Sequence, residues 1–385
     1  MKYTLLVTGW CNLACSYRYI GKHLSRMPAS TARKVIDFAF ARTPPDERIE
    51  IGFFGGEPLL ELDLIREITE IVERHPAFDP DRVTLTVVSN GTIFSSEIAV
   101  FLSHHGIALG ISCDGPPPVH DLHRRFRNGR GSARQVERNL RRAVEAVPGV
   151  MVNAVSTPET LRCLPESVAY LLSLGVRQVY LSPDFSADWR PTDVAALPAA
   201  YGGVGEVFAD HYLRGDPRFV SLVDGKIAVI LRQGYRPLER CRMGRGEFAF
   251  TPAGDVYQCE RLVGDGGEEH RIGSVDEGLR IERLLRHCAS GDDANRECAA
   301  CSLRDYCMNW CGCSNYFASG QYDRSQRLRE ATVVVDRREA GRNLGALPRR
   351  RRGVRPQSEA RPHRPEAPRR RRPDSHLPDG GAGWG

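Results

Sequence analysis

Apolar positions in the first 215 residues change period repeatedly: short runs rich in β-branched residues alternate with longer stretches of helical period. Tyr3–Thr8, Ile49–Phe54, Val83–Ser89, Ala108–Cys113, Val150–Ser156 and Val176–Ser182 read as strands. Ser30–Arg42, Leu60–Arg74, Ser95–His105, Ser132–Val147 and Pro165–Leu174 read as helices, the first capped by Ser30. Strands alternating with helices predict βαβ units and a parallel sheet. Right-handed crossovers make an open sheet or a partial barrel equally compact, and both stay open here. Beyond Phe185 the pattern weakens. Val194–Leu213, Lys226–Gln233 and Ile281–Cys288 read as helices, and Glu247–Cys259 as a hairpin turning at Pro252-Ala253-Gly254-Asp255.

Composition changes this picture in two ways. A chain of 385 residues with 41% hydrophobic content has room for two units and is not wholly disordered. Its net charge of +6 invites a nucleic-acid reading. The charge is local, however. From Pro348 to Gly385 eleven Arg face four acids, so the tail carries +7 and the rest of the chain −1. The Arg/Pro/Gly-rich end cannot bury a core and is expected to be disordered. With a neutral body and no interleaved aromatics, a zinc-containing nucleic-acid binder ranks last among the functions considered. No apolar run approaches the roughly 20 residues that span a bilayer, and no signal-peptide pattern opens the chain. A cytoplasmic protein without a membrane partner is expected. Twelve Cys in such a chain point to metal or redox chemistry rather than disulfides.

The chemistry-bearing residues cluster at predicted strand ends, where parallel α/β folds bind ligands. After the first strand comes Cys11-Asn12-Leu13-Ala14-Cys15-Ser16-Tyr17-Arg18-Tyr19. Its two Cys read equally well as metal ligands or as unrelated buried thiols. The next strand ends in Gly55-Gly56-Glu57-Pro58, where glycines admit a close ligand and Glu57 offers a carboxylate to an ammonium group. Ser89-Asn90-Gly91-Thr92 and Ser112-Cys113-Asp114-Gly115 close later strands with small polar groups. Farther on lie Cys241, Gly254-x4-Cys259, Cys298-x2-Cys301-x5-Cys307-x3-Cys311 and Cys313. Close-spaced Cys pairs of this kind are metal sites, with zinc and iron–sulfur both open. The loop arginines Arg124, Arg125 and Arg127 read as solvated, and the His pairs lack a supporting ligand set.

Together these motifs resemble the radical SAM superfamily, whose signature is Cys-x3-Cys-x-aromatic-Cys followed by Gly-Gly-Glu-Pro. The resemblance implies a partial (β/α)6 barrel over residues 1–215 holding a [4Fe-4S] cluster and S-adenosylmethionine. The later Cys resemble the SPASM extension, which implies one or two auxiliary [4Fe-4S] clusters within 216–325 and leaves 326–385 as a degenerate or disordered tail. Carried over, Cys11 and Cys15 are cluster ligands, and Tyr17 is the aromatic beside the adenine. Gly55, Gly56 and Glu57 meet the methionine amino group. Asn90, Ser112 and Asp114 meet its carboxylate or the ribose. Cys241, Cys259, Cys298, Cys301, Cys307, Cys311 and Cys313 are auxiliary ligands, and Glu260 is a candidate proton acceptor.

Two departures stand out. Arg18 occupies the third cysteine position, and a guanidinium donates only, so it cannot replace a thiolate. No Cys follows Cys313, where SPASM patterns usually carry one more. The resemblance implies a maturase that uses a 5′-deoxyadenosyl radical to abstract hydrogen from a peptide or protein side chain. It also implies an external electron donor such as flavodoxin or ferredoxin. Because the cluster loop begins at residue 11, any precursor peptide is expected to be held by the core or by a separate leader-binding protein. Arg18 favours impaired radical chemistry, and the alternative is a catalytically silent iron–sulfur homologue acting as a binding protein.

Overall fold

The computed structural model describes residues 1–21, 25–236, 241, 243–264, 266–288, 301–308 and 311–322. Cys298 and the basic tail lie outside the described residues, as does the expectation that the tail is disordered.

The first six strands are β1 (Lys2–Thr8), β2 (Ile49–Gly55), β3 (Val83–Ser89), β4 (Ala108–Ser112), β5 (Met151–Ser156) and β6 (Gln178–Pro183). They pair in parallel in chain order, and β7 (Phe219–Val220) extends the row. Unbroken sequential order has a geometric consequence. If every crossover is right-handed, all connecting helices fall on one face of the sheet. This winding is that of a barrel, which separates it from a doubly wound open sheet.

The connecting helices are α1 (Ala29–Arg42), α2 (Leu62–Glu73), α3 (Ser96–His104), α4 (Pro117–His123), α5 (Ala133–Ala146) and α6 (Leu164–Ser173). Tyr3, Leu5 and Val7, with Ile51 and Phe53, Leu85 and Val87, Val152 and Ala154, and Val179, pack beneath these helices as one core. The alternate positions point the other way. Thr84, Thr86, Val88, Met151, Asn153, Val155 and Tyr180 are all partly exposed. Parallel strands covered on both faces read as continuous apolar runs. The period-2 pattern here shows that one face of the sheet is lined but not filled.

The helix ends follow local chemistry. Ser95 accepts from Ile98 N at 3.2 Å, as its sequence position before α3 suggests. Ser30 does not cap α1: the N-cap is Pro28, and Ser30 lies inside the first turn. The start of α5 is instead held from a distance by Asp121, whose Oδ1 accepts Ser132 N at 2.7 Å and Ala133 N at 2.8 Å.

The C-terminal part is not a detached module. Two further helices, α7 (Pro191–Leu213) and α8 (Ser221–Leu231), lead back to β8 (Glu247–Phe250), which pairs in parallel with β1. Then β9 (Asp255–Tyr257), β10 (Arg271–Ser274) and β11 (Gly278–Leu279) continue as antiparallel neighbours, giving an 11-stranded sheet. The expected hairpin, β8 and β9, therefore lies within the same sheet, between β1 and β10. Its Ala249, Tyr257 and Val263 pack with Leu6, Ile20, Tyr19 and Phe54, so the unit covers the open face at β1 and β2. Among the described residues, no helix is long and apolar enough to cross a membrane.

Candidate active site

The loop after β1 is held by a strap from the segment after α4. Ala14 N donates to Arg125 O at 2.8 Å, Ser16 N to His123 O at 3.1 Å and Arg127 N to Asn12 O at 3.4 Å. Arg127 Nε donates to Cys11 O at 2.8 Å, and its guanidinium lies 5.2 Å from the Trp10 ring centroid. Arg127 is thus an exposed loop residue, as expected, that also clamps the Cys loop. Arg124, unlike Arg127, is buried. Its Nε donates to Asp114 Oδ2 at 2.9 Å, with side chains 9% and 1% exposed.

This ion pair reorganises the roles expected of its neighbours. Asp114 accepts from Tyr17 Oη, from Arg124 and from Val155 N at 3.0 Å, so its carboxylate braces the loop instead of facing outward. Burial pushes its pKa up, but the charge and hydrogen bond of Arg124, with help from His120 and Tyr17, outweigh this and hold it below the usual carboxylate range. Tyr17 has the Arg124 guanidinium 5.2 Å from its ring centroid and the His123 ring at 5.4 Å. His120 donates or accepts at Ser132 Oγ, 3.0 Å away, and burial lowers its pKa to about 4.

Glu57 is also turned inward. It is fully buried, and its oxygens accept Leu59 N at 3.0 Å, Ser89 Oγ at 2.8 Å and Asn90 N at 2.6 Å. The carboxylate expected to face an ammonium group instead ties the end of β2 to the end of β3. Burial raises its pKa to about 7, against the pull of those three hydrogen bonds. The two glycines before it serve the same packing. A Cβ on Gly56 would sit 1.8 Å from Trp10 O, and one on Gly55, at φ +128°, would sit 2.2 Å from Thr8 O. What approaches this backbone so closely is the β1 loop.

Asn90 is spent on the Cys loop as well. Its Nδ2 lies 3.6 Å from Cys11 Sγ and donates to Asn12 Oδ1 at 2.8 Å, while its Oδ1 accepts Thr92 N at 2.9 Å. Ser112 sits at the end of β4 opposite Asn153, on the open face. Of the strand-end residues singled out in the sequence, it alone has no side-chain hydrogen bond among the described residues.

Cys11 and Cys15 face the same loop interior, and burial pushes both thiols up. Arg18 stands between this loop and the chain that follows. Its Nη2 donates to Gly9 O at 2.7 Å, its Nε to Ile20 O at 2.8 Å, and its Nη1 is buried without an acceptor. The position is therefore filled by a cation bound to carbonyls. A cluster that needs three thiolates does not fit the residues present in this loop.

The C-terminal thiols present a different donor set. Cys259 and Cys313 are buried together with Leu262, and Cys311 packs against them. Cys311 Sγ lies 3.7 Å from Cys313 Sγ. Cys241 hydrogen-bonds to Cys311, and Cys259 to Cys313. Hydrogen bonding and burial raise Cys241 and Cys313 well above the ordinary thiol range, so the metal-free thiols are protonated. The four sulfurs form a row of contacts. Among the described residues, no three His, Cys, Asp or Glu side chains converge on a metal position as they stand. Four soft thiols, two buried and two half-buried, nevertheless fit a thiolate-bound metal chemically, and a cation with an unsatisfied Nε lies beside them. Arg261 Nε is buried without an acceptor, its Nη1 donates to Ser314 Oγ, which lies 3.3 Å from Cys311 Sγ, and Cys313, Cys311 and Cys259 are near enough to influence its charge. Cys307 is buried and Cys301 exposed, neither in this row. Glu260 Oε2 lies 3.7 Å from Cys259 Sγ, and its charge is the largest influence raising the pKa of Lys2, ahead of Glu50 and Glu247. Lys2 pairs in register with Glu50 on β2 and Glu247 on β8, so all three project to the open face with Glu260 near them.

Sequence reasoning missed Arg124, Arg127 and Asp121. The available signal was their density in one loop after Asp114-Gly115, together with an acid three residues before Arg124.

The family model for the Radical SAM superfamily matches residues 5–171. An uncharacterized protein of Methanocaldococcus jannaschii is 30% identical over 271 residues, 69% of this chain and 86% of that protein. The cysteine-type anaerobic sulfatase-maturating enzyme of Clostridium novyi is 25% identical over 324 residues, 78% of this chain and 84% of the relative. Among solved structures, native anSMEcpe with bound AdoMet and the Cp18Cys peptide superposes with a TM-score of 0.73 at 17% identity, covering 89% of this chain and 97% of that one. With the sequential parallel sheet and the strand-end motifs, these matches define a class: a radical SAM enzyme fold. The chain belongs to the radical SAM superfamily, and its relatives include sulfatase-maturating enzymes.

Proposed function

We propose that this protein is a peptide or protein maturase of the superfamily whose radical-generating step is impaired in this chain by Arg18. The maturase part is supported by the open, polar-lined face of the sheet and by the similarity to sulfatase-maturating enzymes. Thr84, Thr86, Asn153 and Tyr180 would bind an extended peptide there through hydrogen bonds. Ser112 would reach a ligand at the strand ends. Glu260, beside Cys259 and facing Lys2, would take a proton from the bound substrate. Cys241, Cys259, Cys311 and Cys313 would hold one auxiliary metal centre, and Cys298, Cys301 and Cys307 are the remaining candidates for a second. An iron–sulfur centre at the four thiols would supply electron transfer, fed by a donor such as flavodoxin or ferredoxin.

The observation that carries the impairment is the Arg18 guanidinium, anchored on Gly9 O and Ile20 O where the superfamily has its third thiolate. The same observation favours the second reading, a silent homologue that binds a peptide without modifying it. Anaerobic reconstitution of wild type and Arg18→Cys, followed by measurement of 5′-deoxyadenosine, separates the two. We expect the variant to exceed wild type by more than about tenfold, since even outer ligands of metal sites are worth that much. Equal yields would overturn the impairment. A variant that makes 5′-deoxyadenosine while wild type makes none identifies wild type as silent.

A further inference from the structure

Arg261 is a partly buried cation whose Nε is buried, and no carboxylate pairs with it among the described residues. Its guanidinium carbon lies 5.6 Å from the Tyr19 ring centroid and 5.4 Å from that of Phe317. Nη1 donates to Ser314 Oγ at 3.2 Å, and Nε is buried with no acceptor. A guanidinium stays charged at any pH the protein meets. Buried charges in proteins are paired or sit beside a metal assembly of opposite sign. Two rings help through their faces, but they carry no net charge. Chargeable groups near Arg261 include Cys313, Cys311 and Cys259, all members of the thiol row, and the Tyr19 phenol.

We propose that Arg261 is the counter-cation of an anionic metal centre formed by Cys241, Cys259, Cys311 and Cys313. A divalent metal on four thiolates carries two net negative charges, and a guanidinium one hydroxyl away, through Ser314 Oγ at 3.2 Å from Nη1 and 3.3 Å from Cys311 Sγ, neutralises part of them. Cys313 takes the fourth ligand position in this arrangement. Because Tyr19 follows Arg18 in the N-terminal loop, the same guanidinium joins that loop to the C-terminal thiols. This inference rests on the reading that these thiols hold a metal.

The test uses metal-free, full-length protein titrated with Co(II), whose thiolate charge-transfer absorption counts sulfur ligands, with Zn(II) as competitor. Arg261→Met is expected to weaken Co(II) binding by about tenfold or more, the range found for outer partners of metal ligands. Arg261→Lys, which keeps the charge, recovers most of the affinity. Cys313→Ser reduces the charge-transfer band. Urea unfolding adds a readout of opposite sign. Without metal, Arg261→Met is as stable as wild type or more so, because a partly buried charge without a carboxylate partner has been removed. With metal it is less stable. Equal Co(II) affinity in wild type and Arg261→Met overturns the counter-cation role while leaving the thiol centre standing. Equal destabilisation of both forms shows a packing role and overturns it too. Wild type that takes up no Co(II) overturns both the counter-cation and the centre beneath it.

Discussion

Removing Arg124 tests how the loop that carries Cys11 and Cys15 is held. The Arg124–Asp114 pair is buried, with an Nε–Oδ2 distance of 2.9 Å and side chains 9% and 1% exposed. At an effective dielectric of about 20 its attraction is roughly 6 kcal/mol before desolvation is subtracted. Removing one partner of such a pair strands the other charge and costs about 3–5 kcal/mol, against about 0.2–1 kcal/mol for an exposed pair. Arg124→Met therefore lowers the unfolding free energy at pH 7 by about 3–5 kcal/mol, read from urea denaturation. Asp114→Asn costs a similar amount. The double variant loses much less than the sum, because neither charge is stranded. The pH dependence has a fixed sign. Asp114 is held below its ordinary value in the fold, so the bridge contributes fully above about pH 4 and is lost as pH falls further. In Arg124→Met, burial acts on Asp114 against only Tyr17, Val155 N and His120, so its pKa rises relative to wild type and the damage shrinks as pH is lowered. A loss under 1 kcal/mol at pH 7, or strict additivity in the cycle, would refute this account of the loop.

Glu57→Gln should flatten part of the pH profile. The native carboxyl has a pKa of about 7 against an ordinary 4.5, so wild type loses stability as pH rises between these values, by roughly 3 kcal/mol at most. Comparing Tm at pH 5 and pH 8 for both proteins measures it, and parallel profiles would count against the burial argument. Gly56→Ala must displace Trp10 O from 1.8 Å, and it is expected to abolish accumulation of folded protein at 37 °C, as judged by soluble yield and circular dichroism. Glu260→Gln in an Arg18→Cys background should leave 5′-deoxyadenosine formation intact but lower modified peptide. Loss of both products would move Glu260 from proton transfer to structure.

Much of the fold was legible because the parallel strands carry a two-residue period and the helices a longer one. Val83–Ser89 is a strand over the residues its β-branched run marks, and Ser95 caps α3 as its hydroxyl suggests. Less legible was anything set by residues distant in sequence. Ser30 lost its capping role because Pro28 starts the helix earlier, and α5 is capped by Asp121, twelve residues upstream of its first residue. The join of β8 to β1 brings together residues 245 apart, a pairing no local pattern encodes. At the site, the side chains singled out have partners within the protein that their motifs did not announce. Glu57, Asn90 and Asp114 looked like ligand groups from their residue types. In the fold their polar atoms are taken by neighbouring loops, which hold the Cys loop in place.

The alternation along β3 and β5 has a consequence for how such a protein can change. Leu85, Val87, Val152 and Ala154 bear the packing under the helices, while Thr84, Thr86, Met151 and Asn153 on the same strands touch the open side. Neighbouring codons thus answer to different demands. One set is constrained by volume, and the other can drift in size and polarity at little expense to folding. A library confined to the second set would explore new substrates on an intact scaffold.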